Sequence, residues 1–203
     1  LAHHGVLFLD EIAEFPVSVL EVLRQPLEDR CVTITRAQGS VKFPANFILV
    51  AAMNPPEYSA RPNRVRKRIS APLLDRIDLT IDVQPVEIEE MQKRKKRTGE
   101  SSERIRDRVM AARDRQHQRL ADLPVCINAQ MDVRILEDRC PLDTACEQLL
   151  LQAVQRLKLS MRAYHRTIKV ARTIGDLEGV EAITPAHVAE ALQYRQDLGF
   201  EDV

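Results

Sequence analysis

Tryptophan is absent from the 203 residues, and only three Tyr and five Phe are present. So few aromatic rings argue against a surface that grips nucleic acid mainly by base stacking. Cysteine is scarce: Cys31, Cys126, Cys140 and Cys146 form no CxxC pair, and a chain of this length needs no disulfide framework. A reduced, cytoplasmic setting is expected. No run approaches the ~18 consecutive apolar residues of a membrane span, and no signal peptide is expected. Net charge is also missing, with 30 Lys+Arg against 30 Asp+Glu. An initiator Met is absent too: the chain opens on Leu1, so a piece of a longer protein is expected. What is present is globular in kind. Apolar residues make up 44% and charged residues 30%, which excludes wholesale disorder and allows one or two domains with real cores.

The neutrality is an average over unlike thirds. Residues 1–60 hold 4 basic and 7 acidic side chains, residues 61–119 hold 17 and 10, and residues 120–203 hold 9 and 13. The basic middle third suits either a solvated helix or a phosphate-binding surface, and composition does not choose between them.

Gly5–Asp10 (GVLFLD) and Phe47–Ala52 (FILVAA) are short continuous apolar runs. Continuity rather than alternation predicts strands buried on both faces, as in a parallel α/β sheet. Between them, Ser18 and Glu21 have capping-box spacing, although Pro16 could equally open the helix. Cys31–Arg36 and Ser40–Phe43 flank the turn signal Ala37-Gln38-Gly39 and predict a hairpin. Pro55-Pro56 starts an irregular basic stretch to residue 70. Ile77–Val83 alternates apolar and polar residues and predicts a third strand, closed by Pro85. Beyond it only helical patterns occur: 86–97 ending in a KRKKR run, about 102–121 capped by Ser101 or Ser102, 143–157, 162–177 and 185–195. Thr184 and Pro185 give the last a strong start signal. The expected organisation is an α/β domain over 1–85, a basic linker helix over 86–100, and an all-helical domain over 101–203.

A buried strand ending in Asp10-Glu11 puts two carboxylates at its C-terminal tip, where ligands gather in open α/β sheets. Adjacent acids there suit phosphoryl transfer to water, one acid holding Mg²⁺ and the other orienting or deprotonating the water. They could equally cap the following helix. Asn54 follows the second strand at the corresponding place, where an amide can hold a water or a phosphate oxygen, or simply form a turn before Pro55. Arg76, in Pro72-Leu-Leu-Asp-Arg76, offers permanent planar charge for a phosphate transition state, or an ion pair with Asp75 or Asp78.

The order of these elements resembles an AAA+ ATPase core from the Walker B strand onward. The wording AHHGVLFLDE (2–11), LRQPLED (23–29), SAPLLDRID (70–78) and AYHRTIKVARTI (163–174) resembles the magnesium-chelatase-like family of ComM/YifB type. That resemblance covers nearly the whole chain. It implies a partial AAA+ P-loop NTPase core followed by an all-α lid domain, working as a homo-hexameric ATPase with ATP and Mg²⁺. It implies that Asp10 carries Mg²⁺ through water, that Glu11 is the catalytic base, that Asn54 is sensor 1, and that Arg76 is an arginine finger reaching a neighbouring subunit's ATP. Arg162 is the sensor 2 candidate, with Arg166 and Arg172 close enough to compete. The hairpin resembles a pore-facing insert, and Arg36 and Lys42 beside its tip are candidates for gripping a nucleic-acid backbone or are ordinary solvated residues.

Two departures stand out. No GxxxxGK[ST] phosphate loop occurs, and none of the six glycines precedes a Lys; the strand carrying that loop is expected upstream of Leu1, so the 203 residues alone are expected to be inactive. The Cys cluster that many relatives carry after sensor 1 is replaced by residues 55–68 without Cys or His, so no zinc site is expected. The function implied is ATP-driven DNA remodelling or branch migration in recombination of incoming DNA. The alternative is a remodelling chaperone like the magnesium chelatase motor subunit, acting on a protein complex that inserts a metal. A third reading makes the chain itself an inert interaction module.

Overall fold

The computed structural model describes residues 1–37, 39–54, 69–84 and 99–195. The expected helix at 86–97, the basic runs at 61–68 and 93–97 and the hairpin tip at Gln38 lie outside those residues. The chain divides into two compact units, one holding Leu1–Ile77 and the other starting at Asp78.

In the first unit, strand β1 (Val6–Leu9) pairs in parallel with β4 (Ile48–Ala51), with Val6 opposite Ile48 and Leu9 opposite Ala51. Between them run a 3-10 turn (Ile12–Glu14), helices α1 (Val17–Val22) and α2 (Arg24–Asp29), and the antiparallel hairpin β2 (Cys31–Arg36) and β3 (Gly39–Pro44). The one-turn helix α3 (Ala71–Leu74) follows. Pro16 occupies the N-cap of α1 without a side-chain cap bond, so the Ser18–Glu21 capping box does not form. Glu21 is used elsewhere. Ile12, Leu20, Ile69 and Leu73 are buried together, with Leu9, Phe15, Leu23, Leu27 and Met53 packed around them. Full burial of a side chain such as Leu20 or Leu73 is worth about 1.5–3 kcal/mol.

Two expectations fail here. The strands are not buried on both faces: Val6 and Phe8 are each 59% exposed, and their partners Ile48 and Val50 are exposed beside them. The helices and the apolar cluster cover one side of this two-stranded sheet, the side of Leu9. Nor is Ile77–Val83 a strand. A strand needs a neighbour to exchange ladder hydrogen bonds, and none is adjacent among the described residues. Instead the Thr80 N–H donates to the Tyr194 carbonyl at 2.9 Å.

The second unit is helical among its described residues: α4 (Ser102–Arg119), α5 (Val133–Arg139), α6 (Thr144–Leu157), α7 (Met161–Glu178) and α8 (Pro185–Gln193). Caps explain the starts. Ser101 Oγ accepts from Arg104 N, Asp132 Oδ1 from Ile135 N, Asp143 Oδ1 from Cys146 N, and Ser160 Oγ from Ala163 N. The end of α7 is set by Gly179 at φ 82°, a left-handed cap that favours glycine. Leu120, Met131, Leu136, Leu150, Ile168, Ala171 and Val188 form the core. No helix among the described residues is long and apolar enough to cross a membrane.

Candidate functional site

Parallel pairing in register carries Asp10-Glu11 and Met53-Asn54 off the same edge of the sheet. Two backbone bonds tie the departing chains together: Ala52 N–H to Leu9 O at 2.9 Å, and Ile12 N–H to Ala52 O at 3.0 Å. Asp10, Glu11 and Asn54 are all exposed. Asp10 Oδ1 accepts the Glu11 N–H at 3.0 Å. Glu11 itself sits at φ 49°, ψ 47°, a left-handed conformation that costs a non-glycine residue about 1–2 kcal/mol. Residues strained in this way cluster at active sites and ligand clamps, although His4, Arg30 and Lys158 share the positive φ. The structure therefore brings three of the four expected reacting residues to one sheet edge. Among the described residues, no group of three or more His, Cys, Asp or Glu side chains could cage a metal. The donor set suits Mg²⁺ held by a carboxylate, waters and the phosphates of a nucleotide, its usual manner of binding.

Arg76 follows α3, and its guanidinium lies on α2. Its Nε is 3.0 Å from Glu28 Oε2, its NH1 donates to Pro72 O, and the side chain is 10% exposed. Sequence reasoning offered Asp75 or Asp78 as ion-pair partners and missed Glu28, 48 residues earlier. Ser70 caps α3 by accepting from Leu73 N, and donates its own hydroxyl to Glu21 Oε1 at 2.5 Å. That hydroxyl, with Arg24 behind it, holds the Glu21 carboxyl below its ordinary value. The Ser70-x-Pro72 spacing was an unread helix-start signal, and nothing local in the sequence pointed to the two glutamates.

The arginines of α7 separate into two kinds. Arg162 is exposed in the first turn of α7, where the helix's partial positive charge adds to its own. Arg166, one turn on, pairs with Asp78. Arg172 is 1% exposed and engaged: its Nε donates to Asp176 Oδ1 at 3.2 Å, and its NH1 and NH2 donate to the carbonyls of Glu181 and Val180. Burial pulls its guanidinium pKa down, against the pull of Asp176. Asp176, fully buried, also accepts from both terminal nitrogens of Arg119 and from Asn128 Nδ2. Arg172 is thus fixed inside the helical unit, with all three guanidinium nitrogens engaged. Alternating buried charge on one helix face, Arg172 and Asp176 four apart, was the available signal.

The hairpin register sets Arg36 opposite Gly39 and Lys42 opposite Thr33. Paired residues share a face and neighbours alternate. Arg36 therefore lies on the apolar face with Val32, Ile34, Val41 and Phe43, whereas Lys42 lies with Thr33, Thr35 and Ser40. Both are exposed, but the two cations do not form one surface.

With that geometry in place, comparison with known sequences is decisive. Residues 1–91 match the family described as magnesium chelatase, subunit ChlI, and residues 99–195 match magnesium chelatase, subunit ChlI C-terminal. The chain belongs to the magnesium-chelatase-like family. It is similar to competence protein ComM of Haemophilus influenzae, 43% identical over 206 residues, covering 96% of this chain and 40% of that protein. It is 39% identical over the same shares to the uncharacterized protein YifB of Escherichia coli. To the chloroplastic magnesium-chelatase subunit ChlI of Nicotiana tabacum it is 24% identical, covering 94% of this chain and 42% of that protein. The chain thus spans about two fifths of the length of these relatives.

Proposed function

We propose that these residues are the Walker B-to-lid part of an AAA+ ring ATPase that couples ATP hydrolysis to DNA remodelling during recombination of incoming DNA. The observation that carries the ATPase reading is the shared sheet edge of Asp10, strained Glu11 and Asn54. Family membership supports it, and the competence name of the Haemophilus relative supports the DNA step.

When bound, Mg²⁺–ATP supplies the γ-phosphoryl group and the cation that offsets its charge. Asp10 would hold that cation. The Glu11 carboxylate orients the attacking water and accepts its proton, and the Asn54 amide fixes that water by hydrogen bonding. Arg76 presents a permanent positive charge to the nucleotide of a neighbouring subunit in a homo-hexamer. Arg162 and Arg166 serve as sensor 2 candidates from the lid. The signature of a phosphate loop is absent from these residues, so this reading requires one from outside them. The 203-residue chain by itself should show no turnover above background.

The DNA step is tested with the intact ring. Duplex and branched DNA should bind with an affinity that falls steeply between about 50 and about 200 mM salt, because phosphate contacts release counterions. No binding, or binding indifferent to salt, would move the proposal to a protein client.

A further inference from the structure

The finger candidate stands immediately after a helix of four residues. An isolated turn of that length has no stability of its own, because nucleation fixes several dihedrals for a single hydrogen bond. Its orientation must therefore come from what it is pinned to. Three attachments are present, all to the α1–α2 segment. At the start of α3, the Ser70 hydroxyl donates to Glu21 Oε1. In the middle, Leu73 is fully buried in the cluster that contains Leu20. At the end, Arg76 Nε faces Glu28 Oε2 at 3.0 Å while NH1 is held by Pro72 O. The Nε–H is not aimed at the Glu28 oxygen, so the restraint at this edge is the charge attraction of a carboxylate at ion-pair distance, and the NH1 bond to Pro72 O is the directional anchor.

From this bracing we infer that Glu28 is a positioning residue for Arg76: its carboxylate sets the guanidinium in the attitude from which it meets the neighbouring subunit's nucleotide. The inference rests on the proposed role of Arg76 as the finger and extends it to a residue with no contact to nucleotide. Preorganised charge acts without reorganising at the moment of reaction, so loss of Glu28 should lower turnover and leave ATP affinity alone. Glu28 is about one-third exposed, and Glu28→Gln keeps its shape, so folding should be preserved.

The test is a double-mutant cycle in the intact ring, measuring kcat and KM for ATP in wild type, Glu28→Gln, Arg76→Ala and the double variant. Glu28→Gln should cut kcat about three- to tenfold, inside the roughly two- to 150-fold span of coupling between contacting residues, with KM within about twofold. Arg76→Ala should lose far more, and adding Glu28→Gln to it should change nothing further. Equal fractional losses from Glu28→Gln in both backgrounds would make Glu28 merely structural and overturn the inference. So would a Glu28→Gln ring at wild-type kcat, or one faster than wild type, which would make the pair a restraint. Undiminished turnover in Arg76→Ala would instead overturn the finger reading beneath it.

Discussion

Asp176→Asn should be the most damaging single substitution in the helical unit. Asp176 is fully buried, and four donors converge on its two oxygens: Arg172 Nε at 3.2 Å, Asn128 Nδ2 at 2.8 Å, and both terminal nitrogens of Arg119. A carboxylate has about four acceptor positions, so all are in use. An amide keeps one acceptor oxygen and turns an NH₂ group toward donors. It also strands two guanidinium charges, one of them 1% exposed. Breaking a buried ion pair by removing one partner costs about 3–5 kcal/mol. With an m-value of about 1–2 kcal/mol/M, the urea midpoint should fall by roughly 2–4 M. The assay is urea unfolding of the 203-residue chain followed by far-UV circular dichroism at 222 nm, where the helical unit dominates. Arg172→Met leaves Asp176 paired with Arg119 but abandons the Val180 and Glu181 carbonyls, so a smaller loss of about 2–3 kcal/mol is expected. Arg166→Ala removes a surface pair worth about 0–1 kcal/mol. The order Asp176→Asn, Arg172→Met, Arg166→Ala is the prediction. A loss below about 1 kcal/mol for Asp176→Asn would refute the buried network as the keystone of the helical unit.

Three further outcomes follow from local geometry. A Cβ at Gly175 would lie 2.7 Å from Arg172 NH2 and 3.3 Å from its Cζ; Gly175→Ala should therefore lose about 1–2 kcal/mol in the same unfolding assay, although helix propensity alone favours Ala by about 1 kcal/mol. Glu11→Gly should stabilise the first unit by about 0.5–1 kcal/mol, the left-handed strain of about 1–2 kcal/mol less the backbone entropy of glycine; a Glu11→Ala variant as stable as Glu11→Gly would refute the strain. Cys126 is exposed and Cys31 is buried, while burial pushes the Cys140 and Cys146 thiols up to about 11, so iodoacetamide near neutral pH should add one label to the folded chain by mass spectrometry and four in denaturant.

What the sequence disclosed and what it withheld divide along physical lines. Asp10, Glu11 and Asn54 were legible because short-range patterns, an apolar run then a polar tip, fix their place in a sheet whose register follows. The helices of the second unit were legible from start signals such as Ser101 and Thr184 with Pro185. The third strand at Ile77–Val83 failed because alternation describes a residue's two faces, whereas a strand exists only beside a partner. Burial of Val6 and Phe8 failed for a related reason: apolarity gives the demand for cover, and the described residues meet it on one side of the sheet. Glu28 with Arg76 and Asp176 with Arg119 were invisible because ion pairs 48 and 57 residues apart are set by tertiary packing. Arg36 and Lys42 look like a pair in one dimension, and only the hairpin register sends them to opposite faces.

Glu11 is proposed here as the base at a nucleotide-hydrolysing edge. The most direct test is a single comparison in the intact, phosphate-loop-bearing protein: ATP retention and ATP turnover by wild type and Glu11→Gln side by side. The prediction is that the Glu11→Gln ring holds ATP with wild-type affinity and fails to turn it over, losing roughly 10²–10⁴ in kcat, the range carried by a general base. A Glu11→Gln ring that hydrolyses ATP at the wild-type rate would contradict it.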